Sequence, residues 1–452
     1  MKNLLSGSVL TYLRFFAKKA LKEHQPTIIG IAGSVGKTST RNAIEAILSD
    51  HFPTKSVGNS ETGIPLGILG MKPESYSKLN WLQMLFRSPF NINQLKGTKY
   101  LIAEMGIDEP FPPKNMEYLL TILKPHIALS LNAQATHTQQ FEAALSKEQL
   151  RLKSEEKLAI LIDKIAEEDT KIITDSGARI GIYNADDLIL TKHILKKNPD
   201  STKLLSFGDK NTNDISYGLT TVNITGSSFQ LYLKTGEKRE EITLTFPQYV
   251  LPKEYREVFA VAILASLQTG LSLKQIASSL EKNYNLPKGR SSLFSGINDS
   301  VIIDSTYNAS KASVLAFLNL ANTLKKETDR PLVMILGDMR ELGDEAGIEH
   351  KEIGEKLIGI IDHMYMVGPL TREFILPIVQ EKETQFKEIR WFDKATRVGE
   401  YMKDNLPKNA IVLAKGSQNT IYLEEAVKMI LADKKDVKNL CRQDEFWKKQ
   451  KK

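Results

Sequence analysis

Gly30-Ile31-Ala32-Gly33-Ser34-Val35-Gly36-Lys37-Thr38-Ser39-Thr40 is the stretch on which the fold turns. An apolar run, Thr27–Ala32, leads into it, and a helical pattern, Thr38–Leu48, leads out. Glycines between a strand and a helix let backbone N–H groups turn inward and cradle phosphate oxygens. The helix N-terminus adds partial positive charge. Lys37 suits bridging of β- and γ-phosphates, and the Thr38 hydroxyl suits ligation of Mg²⁺. The usual phosphate loop has a glycine five residues before Gly36; here Ile31 stands there, and the run reads G-x-x-G-K-T-S. A glycine-rich turn with a chance lysine would not need Lys-Thr-Ser where a helix begins. Gly33, Ser34, Gly36, Lys37, Thr38 and Ser39 are therefore the predicted nucleotide contacts.

Outward from the loop, the strand–helix alternation continues. Tyr100–Glu104 and His126–Leu131 are further apolar runs that close on polar residues, as in a mostly parallel sheet covered by helices. Such sheets bind ligands beyond the carboxyl ends of their strands. Glu104 falls at that edge and is a candidate Mg²⁺ ligand; Asn132 and His137 follow the next strand. Thr220–Thr225, Phe229–Lys234 and Glu241–Phe246 alternate instead and predict a small antiparallel section. Helical patterns follow at Glu254–Thr269 and Leu273–Asn283. A second series has strands at Val301–Asp304, Leu332–Leu336, His363–Val367, Ile389–Phe392 and Ala410–Ala414, with helices in every gap. The α/β organisation so read has an N-terminal helix (1–26) and a central P-loop mononucleotide-binding domain (27–288) with an apolar insertion at about 71–98. A Rossmann-like, doubly wound C-terminal domain (289–433) and a basic, solvated tail (434–452) complete it, with Pro287-Lys288-Gly289 as hinge.

The 452 residues exceed what one hydrophobic core organises, and 41% hydrophobic with 25% charged residues is ordinary for a soluble globular chain. A wholly disordered chain and a polytopic membrane protein are excluded. Lys+Arg 61 against Asp+Glu 54 leaves +7, small for this length and gathered at the two ends, which argues against a nucleic-acid partner. The single cysteine, Cys441, excludes an internal disulfide and a cysteine-cluster metal site and fits a reducing cytoplasm. Within residues 3–23, Leu5, Val9, Leu13, Phe16 and Ala20 recur at helical spacing, with Arg14, Lys18 and Lys22 along another face. These charges exclude a membrane span, and no cleavage site follows. Two readings stay open: a helix packed on the body of the protein, or one resting on a membrane surface.

Several segments, taken in order, resemble the motifs of Mur ligases, the ATP-dependent amide-bond-forming enzymes of peptidoglycan synthesis. They are Gly33–Thr40, Ala103-Glu104-Met105-Gly106, Asn132…His137, Gly289-Arg290, Asp304…Tyr307-Asn308-Ala309 and Leu336-Gly337-Asp338-Met339-Arg340-Glu341-Leu342-Gly343…His350. Asn59-Ser60-Glu61-Thr62-Gly63-Ile64-Pro65 and Lys415-Gly416-Ser417 resemble elements of the members that add D-alanyl-D-alanine to a UDP-N-acetylmuramoyl tripeptide. The resemblance covers roughly residues 27–430. It implies ATP and Mg²⁺ as cofactors, with Lys37 on phosphate and Thr38 and Glu104 holding one metal. A second metal would be held by His137 and a carbamylated lysine. Lys153, sixteen residues after His137 in a K-x-E, resembles that lysine, with Lys147 as the alternative. The resemblance further implies Arg290 on the ATP phosphates and Asp304, Tyr307 and Asn308 along the nucleotide side. Asn59, Glu61, Asn132 and Lys415 fall on the substrate side.

The pattern is broken at several points. The carboxylate expected at the ribose falls on Ser305, with Asp304 beside it; a G-x-H-N element is replaced by Pro252-Lys253-Glu254-Tyr255-Arg256; Gln418 follows K-G-S where a basic residue is usual. Where the resemblance implies a UDP-sugar-binding domain, 26 residues precede Thr27. The resulting expectation is a different grip on the uridine end, or a lipid-linked or otherwise non-UDP acceptor. The implied function is amide-bond formation through an acyl phosphate, adding D-Ala-D-Ala or another amino acid or dipeptide to a cell-wall precursor. It would proceed in the cytoplasm, on a monomer with peripheral membrane contact through residues 3–23. A ligase for another carboxylate and a non-catalytic nucleotide-binding scaffold are the rivals. A scaffold has no use for Glu104, His137 and a K-x-E lysine in this order.

Overall fold

The computed structural model describes residues 2–73, 78–136, 138–197, 201–247, 249–340, 342, 345–417 and 420–451. The chain forms two compact units, residues 1–218, 230–243 and 256–285, and residues 219–229, 244–255 and 286–452. The first strands are β1 (Thr27–Ala32), β2 (Thr54–Val57), β3 (Tyr100–Glu104), β4 (Ile127–Ser130), β5 (Ile180–Asn184) and β6 (Lys203–Gly208). β7 (Ile215–Asn223), β8 (Gly226–Thr235) and β9 (Lys238–Phe246) complete a sheet ordered β2-β3-β1-β4-β5-β6-β7-β8-β9. Pairing from β2 through β7 is parallel. Two-residue connections join β7 to β8 and β8 to β9, and only antiparallel strands can be joined so tightly. Because helices cover both faces of β1, β3 and β4, these strands are apolar without alternation. Their order sets the carboxyl ends of β1 and β3 side by side, with Ile31 opposite Glu104.

The N-terminal helix, α1 (Lys2–His24), packs through the face read from the sequence. Leu13, Ala17 and Ala20 are fully buried, Phe16 and Leu21 lean on the sheet's core, and the small alanines allow close approach. The apolar insertion folds as a helix, Lys78–Arg87, and a 3₁₀ helix, Ser88–Leu95. Its Met84, Trp81 and Leu85 meet Leu13 and Val9 of α1. Among the described residues no helix is long and apolar enough to cross a membrane.

In the second unit, β10 (Ser292–Ser295), β11 (Val301–Ser305), β12 (Leu332–Gly337), β13 (His363–Val367), β14 (Glu388–Phe392) and β15 (Ile411–Lys415) form a sheet ordered β10-β11-β15-β12-β13-β14. All pairs are parallel except β10 with β11. The register sets Lys415 between Ser305 and Leu336 at the carboxyl edge. One expectation fails here. The tail after Lys434 is not simply a solvated end, because Leu440, Cys441 and Arg442 are buried. Arg442 finds a buried partner in Glu424, which basic composition alone does not reveal.

Candidate active site

The loop after β1 is held open by its glycines and by Asn132. Gly33 (φ 135°) and Gly36 (φ 91°) adopt conformations that L side chains avoid, and a Cβ on Gly33 would meet Leu131 Cβ at 2.9 Å. Gly36 precedes α2 (Lys37–Leu48), so the first N–H groups of that helix face the loop. Asn132 accepts from Val35 N at 2.9 Å and donates to Val35 O at 3.0 Å. Its amide is thus engaged in bracing the loop, a task different from the substrate contact expected for it. Ser34 is tied to the same segment: its hydroxyl bonds the Gln134 carbonyl at 3.2 Å and accepts from Gln134 N at 2.9 Å. Lys37 Nζ turns back onto the loop, donating to the carbonyls of Gly33 and Ser34.

Thr38 and Glu104 come together as the sequence suggested. The Thr38 hydroxyl donates to Glu104 Oε2 at 3.1 Å, and Arg41, one turn along α2, reaches Oε1 at 2.7 Å. Glu104 is 3% exposed, so its charge is matched by Arg41 in a poorly hydrated place. One carboxylate and one hydroxyl suit Mg²⁺, which keeps waters and phosphate oxygens in its shell. The loop Asn59–Gly63 borders this group. Gly106 N donates to Asn59 O at 2.9 Å, and a Cβ on Gly106 would lie 3.8 Å from Lys37 Cε. Glu61 is half-buried there, and desolvation holds its carboxyl above the usual range.

A carboxylate the sequence reading missed lies behind the loop. Asp169, on the helix Ser154–Thr174, is 1% exposed and accepts from Gly33 N at 3.2 Å, while its second oxygen has no hydrogen-bond partner among the described residues. Burial pushes it up to about 7 against the opposing pull of Lys37. The folded state therefore binds a proton that the unfolded chain has lost, and stability falls as pH rises from about 4 to about 7. Asp169→Asn keeps the acceptor for Gly33, so it should raise the unfolding temperature by a few degrees at pH 8 and by less at pH 5. An equal change at both pH values would show that ionisation of Asp169 does not matter.

Lys153 precedes the same helix and is exposed; neither it nor Lys147 is tied to the loop by a hydrogen bond or ion pair among the described residues. His137 lies outside the described residues, as do Glu341, Gly343 and Gln418.

In the second unit, Arg290, Asp304, Tyr307, Asn308 and Lys415 gather at the carboxyl ends of β11 and β15. The Arg290 guanidinium stacks over the Tyr307 ring at 4.9 Å, and Tyr307 N donates to Gly289 O at 3.0 Å. Lys415 Nζ donates to Asn308 O at 2.6 Å and to Ser305 Oγ at 3.4 Å. Burial and the Arg290 charge pull Lys415 down to about 7. Asp304 does not line a nucleotide surface. It is fully buried and receives the Thr306 N–H at 3.0 Å and hydroxyl at 2.6 Å, because β11 turns it inward. Burial pushes its carboxyl up to about 6. Tyr307, at 37% exposure, the exposed Asn308 and the half-buried Arg290 are left as the groups of this cluster that can meet a ligand.

Residues 31–152 match the model of the Mur ligase middle domain, and residues 289–418 that of the Mur ligase glutamate ligase domain. A UDP-N-acetylmuramoyl-tripeptide–D-alanyl-D-alanine ligase of Buchnera aphidicola is 28% identical over 353 residues, 77% of this chain and 64% of its own length. The protein of that name from Bacillus subtilis (strain 168) is 26% identical over 95% of this chain and 81% of its own. Among solved structures, MurF ligase from Thermotoga maritima in complex with ADP superposes with a TM-score of 0.71 at 19% identity, covering 95% of this chain and 84% of that one.

Proposed function

The chain belongs to the Mur ligase family, and we propose that it is an ATP-dependent ligase joining D-alanyl-D-alanine to a UDP-N-acetylmuramoyl tripeptide. The observation that carries this reading is the Thr38–Glu104 pair, 3.1 Å apart at the mouth of a glycine loop. In the proposed reaction the backbone N–H groups of Gly33–Thr38 and the Lys37 ammonium hold and orient the phosphates. Thr38 and Glu104 hold Mg²⁺, which when bound spreads the negative charge of the phosphates. An acceptor carboxylate oxygen attacks the γ-phosphorus and ADP leaves. The dipeptide nitrogen then attacks the acyl carbon, and phosphate departs with that oxygen while the nitrogen gives up a proton. The family likeness makes Arg290 and Tyr307 further candidates for contact with the nucleotide, and the chain works as a monomer in the cytoplasm, in peripheral contact with a membrane surface.

The test is a product assay by mass spectrometry with ATP, UDP-muramoyl tripeptide and D-Ala-D-Ala. The product should carry the mass of both partners less one water, and phosphate release should require both. Release independent of acceptor and amine would overturn the ligase reading; product only with another carboxylate would move the acceptor. The family likeness also supports a second metal held by His137 and carbamylated Lys153. Lys153→Ala should then lose about 10²-fold in turnover and recover part of it with short-chain carboxylates. A fully active variant would shift the role to Lys147 or remove it.

A further inference from the structure

The face of α1 that seemed free for a membrane is used inside the protein, against Met84 and the sheet. A different apolar surface is left outside by the same packing. Leu82 and Phe86 follow one another by a helical turn on the outer side of Lys78–Arg87 and are 63% and 73% exposed. Phe90 in the next segment is 73% exposed, its ring 5.8 Å from that of Phe86. On α1, Phe15 is 62% exposed. Exposed apolar residues are ordinary one at a time; three neighbouring large ones on a single short segment are not.

Charge distinguishes among possible occupants. α1 carries five Lys/Arg and one acid, Glu23; residues 78–99 carry four Lys/Arg and no acid. These two packed segments sum to +8, whereas the whole chain sums to +7. Lys18, Lys19, Lys22, Arg87 and Lys96 are exposed, and none forms an ion pair among the described residues. The C-terminal tail is also basic, but its Arg442 and Lys451 are bound to Glu424. Exposed phenylalanines on a segment that also exposes Arg87 and Lys96 and has no acid between residues 78 and 99 match a surface that offers both hydrocarbon and anionic headgroups. A second copy of the chain would bring the same positive charge against itself.

We propose that the Leu82–Phe86–Phe90 surface, with the exposed Arg87 and Lys96 of the same segment, docks on an anionic phospholipid bilayer, the phenylalanines entering the headgroup boundary. This makes specific the membrane contact of the reading above and does not depend on the ligase chemistry. The test is flotation of the full chain with vesicles of phosphatidylcholine alone or with a quarter phosphatidylglycerol. Binding should need the anionic lipid and weaken with salt. Phe86→Ser/Phe90→Ser should weaken it at least about tenfold, with unfolding temperature and ligase turnover unchanged. Arg87→Glu/Lys96→Glu should weaken it on a second, independent ground. Failure to float with anionic vesicles, or undiminished flotation of the serine variant, would overturn the proposal. So would a dimer in sedimentation that the serine variant dissolves, since the surface would then be filled by a second copy. Loss of turnover in a variant that still floats would bear on the ligase reading alone.

Discussion

Lys37→Ala should reduce ATP-dependent product formation by about 10³-fold or more while the protein stays folded. The lysine is half-buried and its bonds are to the carbonyls of Gly33 and Ser34, so it holds no core together. What it supplies is a cation fixed beside a row of inward-facing N–H groups, where ATP brings the largest negative charge. Removing it leaves that charge poorly matched in the ground state and worse matched as the γ-phosphoryl group transfers, so both affinity and turnover fall. Lys37→Arg should not restore activity, because a planar fork does not fit where a compact ammonium lies against two loop carbonyls. The measurement is product mass together with ATP consumption, with thermal unfolding as the control for folding. Normal turnover in the alanine variant would remove the loop from the mechanism.

The parts of this site that were legible in the sequence were those made by neighbours in the chain or by strand ends. The loop lies between a buried strand and a helix, and Glu104 closes a run of apolar residues, so one rule placed both at the carboxyl edge. Asp169 escaped because its helix, rich in Glu and Lys, resembles a solvated surface. Yet it follows Ile165 by four residues and precedes Ile172 by three, so it lies on the buried stripe, and a charge there is the signal to look for. Arg41 was likewise readable as one turn beyond Lys37 but has no partner until β3 is laid beside β1. Of the strands that went unread, β2, β5, β6 and β10, two have plain local causes. β2 is a four-residue edge strand, Thr-Lys-Ser-Val, with little apolar content, and β5 is interrupted by Gly181. The inward turn of Asp304 and the burial of Cys441 depend on contacts across more than a hundred residues, which no window along the chain contains.

Arg442→Met should destabilise the second unit by about 3 kcal/mol, the low end of what breaking a buried pair costs. Its guanidinium grips Glu424 with two bonds, 2.9 and 2.6 Å, and both side chains are almost wholly buried. The low end is expected because Lys451, 2.7 Å from Glu424, remains to offset part of the stranded charge. Arg442 does a second thing. It donates to Thr306 O at 2.7 Å and Tyr307 O at 3.0 Å, and Cys441 beside it lies 3.5 Å from the Thr306 hydroxyl. The strap of Leu440–Arg442 also closes over Gly289, where a Cβ would meet Cys441 Sγ at 2.9 Å and Tyr307 N at 3.1 Å. The segment carrying Arg290 and Tyr307 is therefore braced from the C-terminal end of the chain. A paired change separates the two roles. Arg442→Met/Glu424→Leu removes the stranded charge and should regain most of the stability in urea unfolding, since well-packed apolar groups often replace a buried pair without loss. It cannot regain the two carbonyl bonds, so KM for ATP should stay raised several-fold in both variants, with kcat less affected. Stability equal to the parent in the single variant would deny the strap a structural role. Recovery of KM in the double variant would deny it any part in positioning Tyr307.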